Sequence, residues 1–178
     1  MQPKALNMIV RIGIAALAIC LSSASFAQTK EQEANLKAVF IYNFTKYIEW
    51  DTASGSDEFL IGVIGSSPVT AALEEIATTK RVNNKRIIVR VFKKPEDMSY
   101  CQVLFIPGDI PFSLESILSR VEKGTLTVSE EEGYGRLGTA FNFFISKDKL
   151  KFEANLKAIY AAGLKAGSQL LKLATIVD

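Results

Sequence analysis

The 178-residue chain carries 21 Lys and Arg against 19 Asp and Glu and has no histidine, a length that suits one core and a charge balance too even to draw nucleic acid. Without histidine the commonest general base, the Ser-His and Cys-His nucleophile pairs and histidine-containing zinc sites are all missing. Nothing in the spacing argues for carboxylate-only or Ser-Lys chemistry, so no catalytic residue, metal or cofactor is expected.

Residues 1–27 read as a secretory signal. Lys4 and Arg11 supply positive charge, Ile12 to Leu21 form an apolar run, and Ser25-Phe26-Ala27 gives a small-x-small cleavage site. The run is half the roughly 20 residues needed to span a hydrocarbon core, so cleavage near Ala27 is expected, not a permanent anchor. A lipoprotein site at Leu17-Ala18-Ile19-Cys20 is disfavoured by the bulk of Ile19. The organisation expected is a signal peptide over 1–27 and a single domain over 28–178. Loss of the leader removes two basic residues and no acidic one, which leaves 19 of each sign. It also removes Cys20, so Cys101 has no internal disulfide partner and reads as a small buried hydrophobe beside Val103-Leu104-Phe105-Ile106.

The domain opens on Lys37 to Trp50, KAVFIYNFTKYIEW. Leu36, Val39, Phe40, Phe44, Tyr47 and Trp50 recur at three- and four-residue steps, which predicts one helical stripe with Ile41 and Tyr42 off it. Apolar surface in excess of one stripe must be covered by the domain or by a partner. Residues 51–57 read as a loop, 59–65 as a strand buried on both faces, and 68–78 as a helix with Ser67 as its cap and Pro68 in its first turn. Strands are predicted over 86–92, 103–106 and 125–128, and a helix over 112–122 with Gly124 beyond its end. Runs 140–145 and 150–152 flank Ser146-Lys147-Asp148-Lys149 as a hairpin, and 154–176 reads as a long final helix. The fold class expected is α/β, with a mostly parallel sheet, helices on both faces, a C-terminal β-hairpin and a long closing helix. Glu33-Ala34-Asn35-Leu36-Lys37-Ala38 recurs as Glu153-Ala154-Asn155-Leu156-Lys157-Ala158, which two amphipathic helix starts explain.

Candidate sites follow from this order. The strand exits Gly65-Ser66-Ser67-Pro68, Pro107-Gly108-Asp109 and Ser129-Glu130-Glu131 are expected at one sheet edge, where doubly wound folds place ligands, with Ser66, Ser67, Gly108, Asp109 and Ser129 as the candidate ligand residues. Free amides near Ser67 suit an anion or carboxylate, although no G-x-G-x-x-G or P-loop sequence is present. This supports a small-solute binding or sensor module as an alternative function. Lys80, Arg81, Lys85, Arg86 and Arg90, followed by Lys93-Lys94, form a basic cluster that suits an acidic partner, an anionic membrane surface or simply a solvated turn, with Glu74, Glu75, Glu96 and Asp97 near it in sequence. Tyr134 sits between Gly133 and Gly135 as an aromatic loop tip. Ala158, Ala161, Ala162, Gly163, Ala166 and Gly167 leave one side of the predicted final helix nearly bare, for close packing within the domain or for a homodimer seam. Phe40, Tyr42, Phe44, Tyr47 and Trp50 are the expected partner-binding residues.

Four blocks occur in an order that resembles the YfiR/HmsC family of small periplasmic regulators: KAVFIYNFTKYIEW, then IGVIG with IIVRV and CQVLFI, then TLTVSEEEGYGRLGTAFNFF, then KFEANLKAIYAAGLKAGSQLLKLATIV. The resemblance implies a non-catalytic periplasmic protein that restrains an inner-membrane diguanylate cyclase through the cyclase's periplasmic part, lowering cyclic di-GMP and biofilm formation. It also implies an outer-membrane partner that sequesters the repressor. Better-known members contain cysteine pairs, whereas this chain keeps only Cys101 after cleavage.

Overall fold

The computed structural model describes residues 30–50 and 56–178; the leader and residues 51–55 of the first loop lie outside the described residues. Helix α1 covers 30–44. It is followed by β1 (Ile48–Glu49), β2 (Glu58–Ile64), α2 (Val69–Thr79), β3 (Arg81–Val82), β4 (Lys85–Phe92), β5 (Val103–Ile106), α3 (Leu114–Leu118) and β6 (Leu126–Ser129). The last part comprises β7 (Phe141–Ser146), β8 (Lys149–Asn155), α4 (Leu156–Ala161), β9 (Lys165–Ala166), α5 (Ser168–Leu171) and β10 (Thr175–Val177).

The fold is α/β around a mixed, mostly parallel sheet of eight strands in the order β10-β8-β7-β6-β5-β2-β4-β3. β4, β2, β5, β6 and β7 run parallel, as strand-helix alternation dictates. The predicted hairpin is the antiparallel pair β7–β8, turned by Lys147 and Asp148 at φ 53° and 56°, the left-handed pair of a two-residue turn. A second such turn, at Asn83 and Asn84, pairs β3 with β4. Alternate residues of the strands build two apolar layers. One lies under α1, α2, α4 and α5, the other under α3, so helices do cover both faces, unevenly.

Three expectations are corrected. Helix α1 buries Ala34, Ala38, Ile41 and Phe44, whereas Leu36 and Val39 of the predicted stripe are 44% and 45% exposed. The small alanines let the helix backbone approach the sheet, and Ile41 and Phe44 fill the remaining gap. Leu36 and Val39 of the predicted stripe therefore face outward, while Phe40 and Phe44 turn inward. Phe44 sits with Phe141, Phe143 and Phe152 at ring centroid distances of 4.6, 5.8 and 4.9 Å, and Phe40 meets Phe143 and Phe152 edge-on at 6.0 Å each. The helix predicted over 112–122 is cut to Leu114–Leu118, with Ser113 capping it through its side chain.

The long closing helix is absent. β8 extends through Asn155, paired to β7, and the Asn155 side chain then accepts the Ala158 N–H to start α4. Gly163, at φ +76°, ends α4, with Leu164 N–H donating to Ile159 C=O at 3.1 Å and Gly163 N–H to Tyr160 C=O at 2.9 Å. This is a Schellman turn, for which glycine is the natural residue. Gly167 then caps α5, and β10 returns parallel to β8. The bare alanine-glycine stripe is consequently divided among α4, a turn, β9 and a cap, and forms no helical dimer seam.

Replacement of Phe44 by alanine is expected to cost about 3–5 kcal/mol in denaturant unfolding, against at most about 0.5 kcal/mol for Leu36→Ala. Equal effects would contradict the helix phase described here.

Candidate functional site

The exits of β2, β5 and β6 stand side by side, and strand order reverses between β2 and β5 because β4 lies on one side of β2 and β5 on the other. A cleft of about 230 Å³ opens near these exits, lined by Ser67 and Val69 at the start of α2, Glu130 after β6, and Lys30, Glu33 and Lys37 of α1. Of the five residues expected at a ligand cleft, only Ser67 lines it. Its Oγ accepts the Val69 N–H at 3.2 Å and its C=O accepts the Thr70 N–H at 3.1 Å, which is capping chemistry.

Ser129 is fully buried. Its Oγ lies 2.7 Å from Thr139 Oγ1 and donates to Asn142 Oδ1 at 2.7 Å, so its polar group is consumed in joining β6 to β7 and presents nothing to a ligand. Gly108 N–H donates to Glu130 Oε1 at 3.2 Å. Ser66 and Asp109 are exposed beside the cleft and do not line it.

The sequence reading placed Glu130 at the exit of β6 but missed the lysine that pairs with it and organises this edge. Lys37 Nζ lies 2.5 Å from Glu33 and 2.5 Å from Glu130, with its side chain only 12% exposed. Burial pulls the ammonium pKa down, but hydrogen bonds and charge attraction from Glu130 and Glu33 outweigh it and hold the group above the usual lysine value. The signal was legible in part, since Glu33 and Lys37 are an i,i+4 pair in the favoured orientation; Glu130 is far off in sequence. Two cations, Lys30 and Lys37, face two anions, Glu33 and Glu130, across the cleft. A carboxylate already occupies the place an anionic ligand would take.

Cys101 is buried, as expected. Burial pushes its thiol up to about 12, against a smaller opposing effect of the Gly62 backbone. A thiol so held is neutral and unreactive at ordinary pH. Gly62 is required beneath it: a Cβ there would come within 2.6 Å of the Phe92 ring and 3.0 Å of Cys101 Sγ.

The five residues expected to bind a partner separate into two groups. Phe44 is wholly buried and belongs to the core, which corrects its assignment to a contact surface. Trp50 donates its indole N–H to Gln102 C=O at 3.3 Å and stacks edge-on with Phe59 at 5.2 Å, and Phe40 closes the aromatic layer. Tyr42 carries the Lys46 ammonium 4.5 Å over its ring. Only Tyr47, at 40%, is well exposed, and the large apolar groups exposed with it in this segment are Leu36 and Val39. Tyr134 packs partly against the layer under α3. Among the described residues no group of acidic and cysteine side chains is placed to hold a metal, and no helix is long and apolar enough to cross a membrane.

Residues 34–175 match the YfiR/HmsC-like family, from the first core residue of α1 to the first residue of β10. The chain belongs to the YfiR/HmsC-like family. That family is known in general terms as periplasmic regulators of diguanylate cyclases. In this YfiR/HmsC-like chain the cleft is occupied by ion pairs and the buried thiol of Cys101 is held neutral.

Two outcomes test those assignments. Lys37→Met leaves Glu130 without its cation and is expected to lower stability by about 1–2 kcal/mol at neutral pH, less than a fully buried pair would lose. Because the folded lysine pKa is raised, the contribution is complete below the unfolded value of about 10.4 and is lost as pH rises through the folded one. The gap between wild type and variant should therefore be flat from neutral pH upward and close only in strongly alkaline buffer; a gap that closes near neutrality contradicts the ion-pair assignment. Cys101 is expected to ignore an aromatic disulfide reagent at pH 8 in the native protein and to react fully in denaturant.

Proposed function

We propose that this protein is a non-catalytic periplasmic regulator that binds the periplasmic part of an inner-membrane diguanylate cyclase and restrains it, lowering cyclic di-GMP and biofilm formation. Export would follow from cleavage near Ala27, and an outer-membrane partner that sequesters the protein would relieve the restraint. Family membership supports the class of function. The single structural observation that supports the mode of action is the outward apolar surface of α1 and the turn that follows it, where Leu36 and Val39 on the helix and Tyr47 on the turn are 44%, 45% and 40% exposed. Large apolar groups facing outward from an element whose other side is fully packed suit a protein partner.

Restraint of this kind needs no bond-making. It needs a surface that binds one state of the cyclase more tightly than another, and the effect cannot exceed that difference in affinity. The alternative, a solute sensor at the strand exits, draws support from the 230 Å³ cleft but must contend with the ion pairs already filling it.

The double variant Leu36→Glu/Val39→Glu is expected to abolish capture of the membrane partner and raise cellular cyclic di-GMP, while unfolding free energy stays within about 0.5 kcal/mol of wild type, as for other surface changes. Unchanged capture would remove α1 as the docking face. A reproducible rise in melting temperature with one metabolite, combined with no membrane partner, would favour the sensor.

A further inference from the structure

The sheet ends on one side in a strand that is only partly covered. β4 runs from Lys85 to Phe92, yet β3 pairs with it only through Arg81 opposite Arg86 and Val82 opposite Lys85. On the other side β4 is parallel to β2 along its whole length. In a parallel ladder alternate residues direct both N–H and C=O to the same neighbour. Arg86 N–H donates to Asp57 C=O at 2.9 Å, and Phe92 C=O accepts from Gly65 N–H at 2.8 Å, so the even-numbered residues face β2. Val89 and Val91 therefore direct their N–H and C=O groups away from the sheet, and among the described residues no strand is registered against them. Val91 is also 46% exposed.

Unpaired edges of β-branched residues are templates for another strand, and proteins commonly guard them with charge. The guard here has one sign. Lys80, Arg81, Lys85 and Arg86 stand at the hairpin end of the edge, Arg90 within it, and Lys93 and Lys94 beyond it. Glu58 takes up Arg86, while Glu96 pairs with Arg120, outside this group; Glu74, Glu75 and Asp97 are exposed nearby in sequence. Antiparallel pairing with the same edge of a second copy would set two clusters of the same sign, Lys93 and Lys94 of each among them, against each other and repel. An acidic strand meets neither obstacle.

We propose that the free edge of β4, from Ile88 to Phe92, is a strand-addition site for an extended, acidic segment of a partner protein. Main-chain hydrogen bonds from Val89 and Val91 supply the pairing, and the flanking lysines and arginines select the charge. The inference stands apart from the cyclase reading, since it uses main-chain groups of β4, whereas that reading uses the exposed side chains of Leu36, Val39 and Tyr47; the two surfaces share α1 only through Tyr42, whose hydroxyl donates to Arg81 C=O of β3 at 3.4 Å.

The test is amide hydrogen exchange on isotope-labelled protein, alone and with a short blocked peptide that alternates valine with glutamate. In the free protein the Val89 and Val91 amides should exchange quickly, while those of Ile88, Arg90 and Phe92, bonded to β2, are protected. With peptide, exchange at Val89 and Val91 should slow by about ten-fold or more. The same peptide methylated on its backbone nitrogens keeps its charge and should not protect them. Lys93→Glu/Lys94→Glu should weaken binding of the unmodified peptide by about ten-fold at low salt and leave the free protein's exchange unchanged. Equal binding of the methylated peptide would reduce the surface to plain electrostatics and overturn the proposal. So would protection of Val89 and Val91 without peptide, growing with protein concentration, which would assign the edge to a second copy.

Discussion

The fold depends on one contact, the closure of helix α1 over the β7–β8 hairpin through phenylalanine rings. Phe44 lies against Phe141, Phe143 and Phe152, and Phe40 seals the layer from the side. Each aromatic pair contributes about 0.5–1.5 kcal/mol beyond the area it buries. The same contact determines what else α1 can do. With Ala34, Ala38, Ile41 and Phe44 turned inward, the opposite side of the helix is released to solvent. That side bears the groups proposed to meet a partner, so packing and recognition divide one helix between them.

Much of the sheet was legible in the sequence because its strands are locally unambiguous. Val103 to Ile106 is buried throughout, and a short continuous apolar run of this kind suits a strand covered on both faces. The hairpin was legible from its polar connection. Helix phase was not, because α1 has apolar residues around most of its circumference and periodicity then gives no unique inner face. The decision rested on where Ala34 and Ala38 could approach a sheet that the local sequence does not reveal.

The C-terminal error has a sharper cause. Glu-Ala-Asn-Leu-Lys-Ala is entirely helical at 33–38, but at 153–158 its first three residues are strand and its last three helix. Local propensity is identical in the two copies, so the difference is tertiary: the second copy continues a strand already paired to β7. Gly163 and Gly167 were the available warning, and reading them as contact residues hid their use as terminators. The candidate cleft shows the same division. Adjacency of the three strand exits followed from chain order, whereas the Lys37–Glu130 pair, which decides the cleft's chemistry, joins positions far apart in sequence.

Phe44 and its partners in β7 and β8 are separated by about a hundred residues of chain, so the contact on which the fold depends is strongly non-local and forms only after a long loop has closed. During that delay an aromatic helix at the leading end of the polypeptide stays bare, vulnerable to off-pathway association until the last hairpin is made. Export as proposed above would take the chain through this interval every time it is made. Its yield would then be governed less by final stability than by how well that helix is shielded before the hairpin arrives.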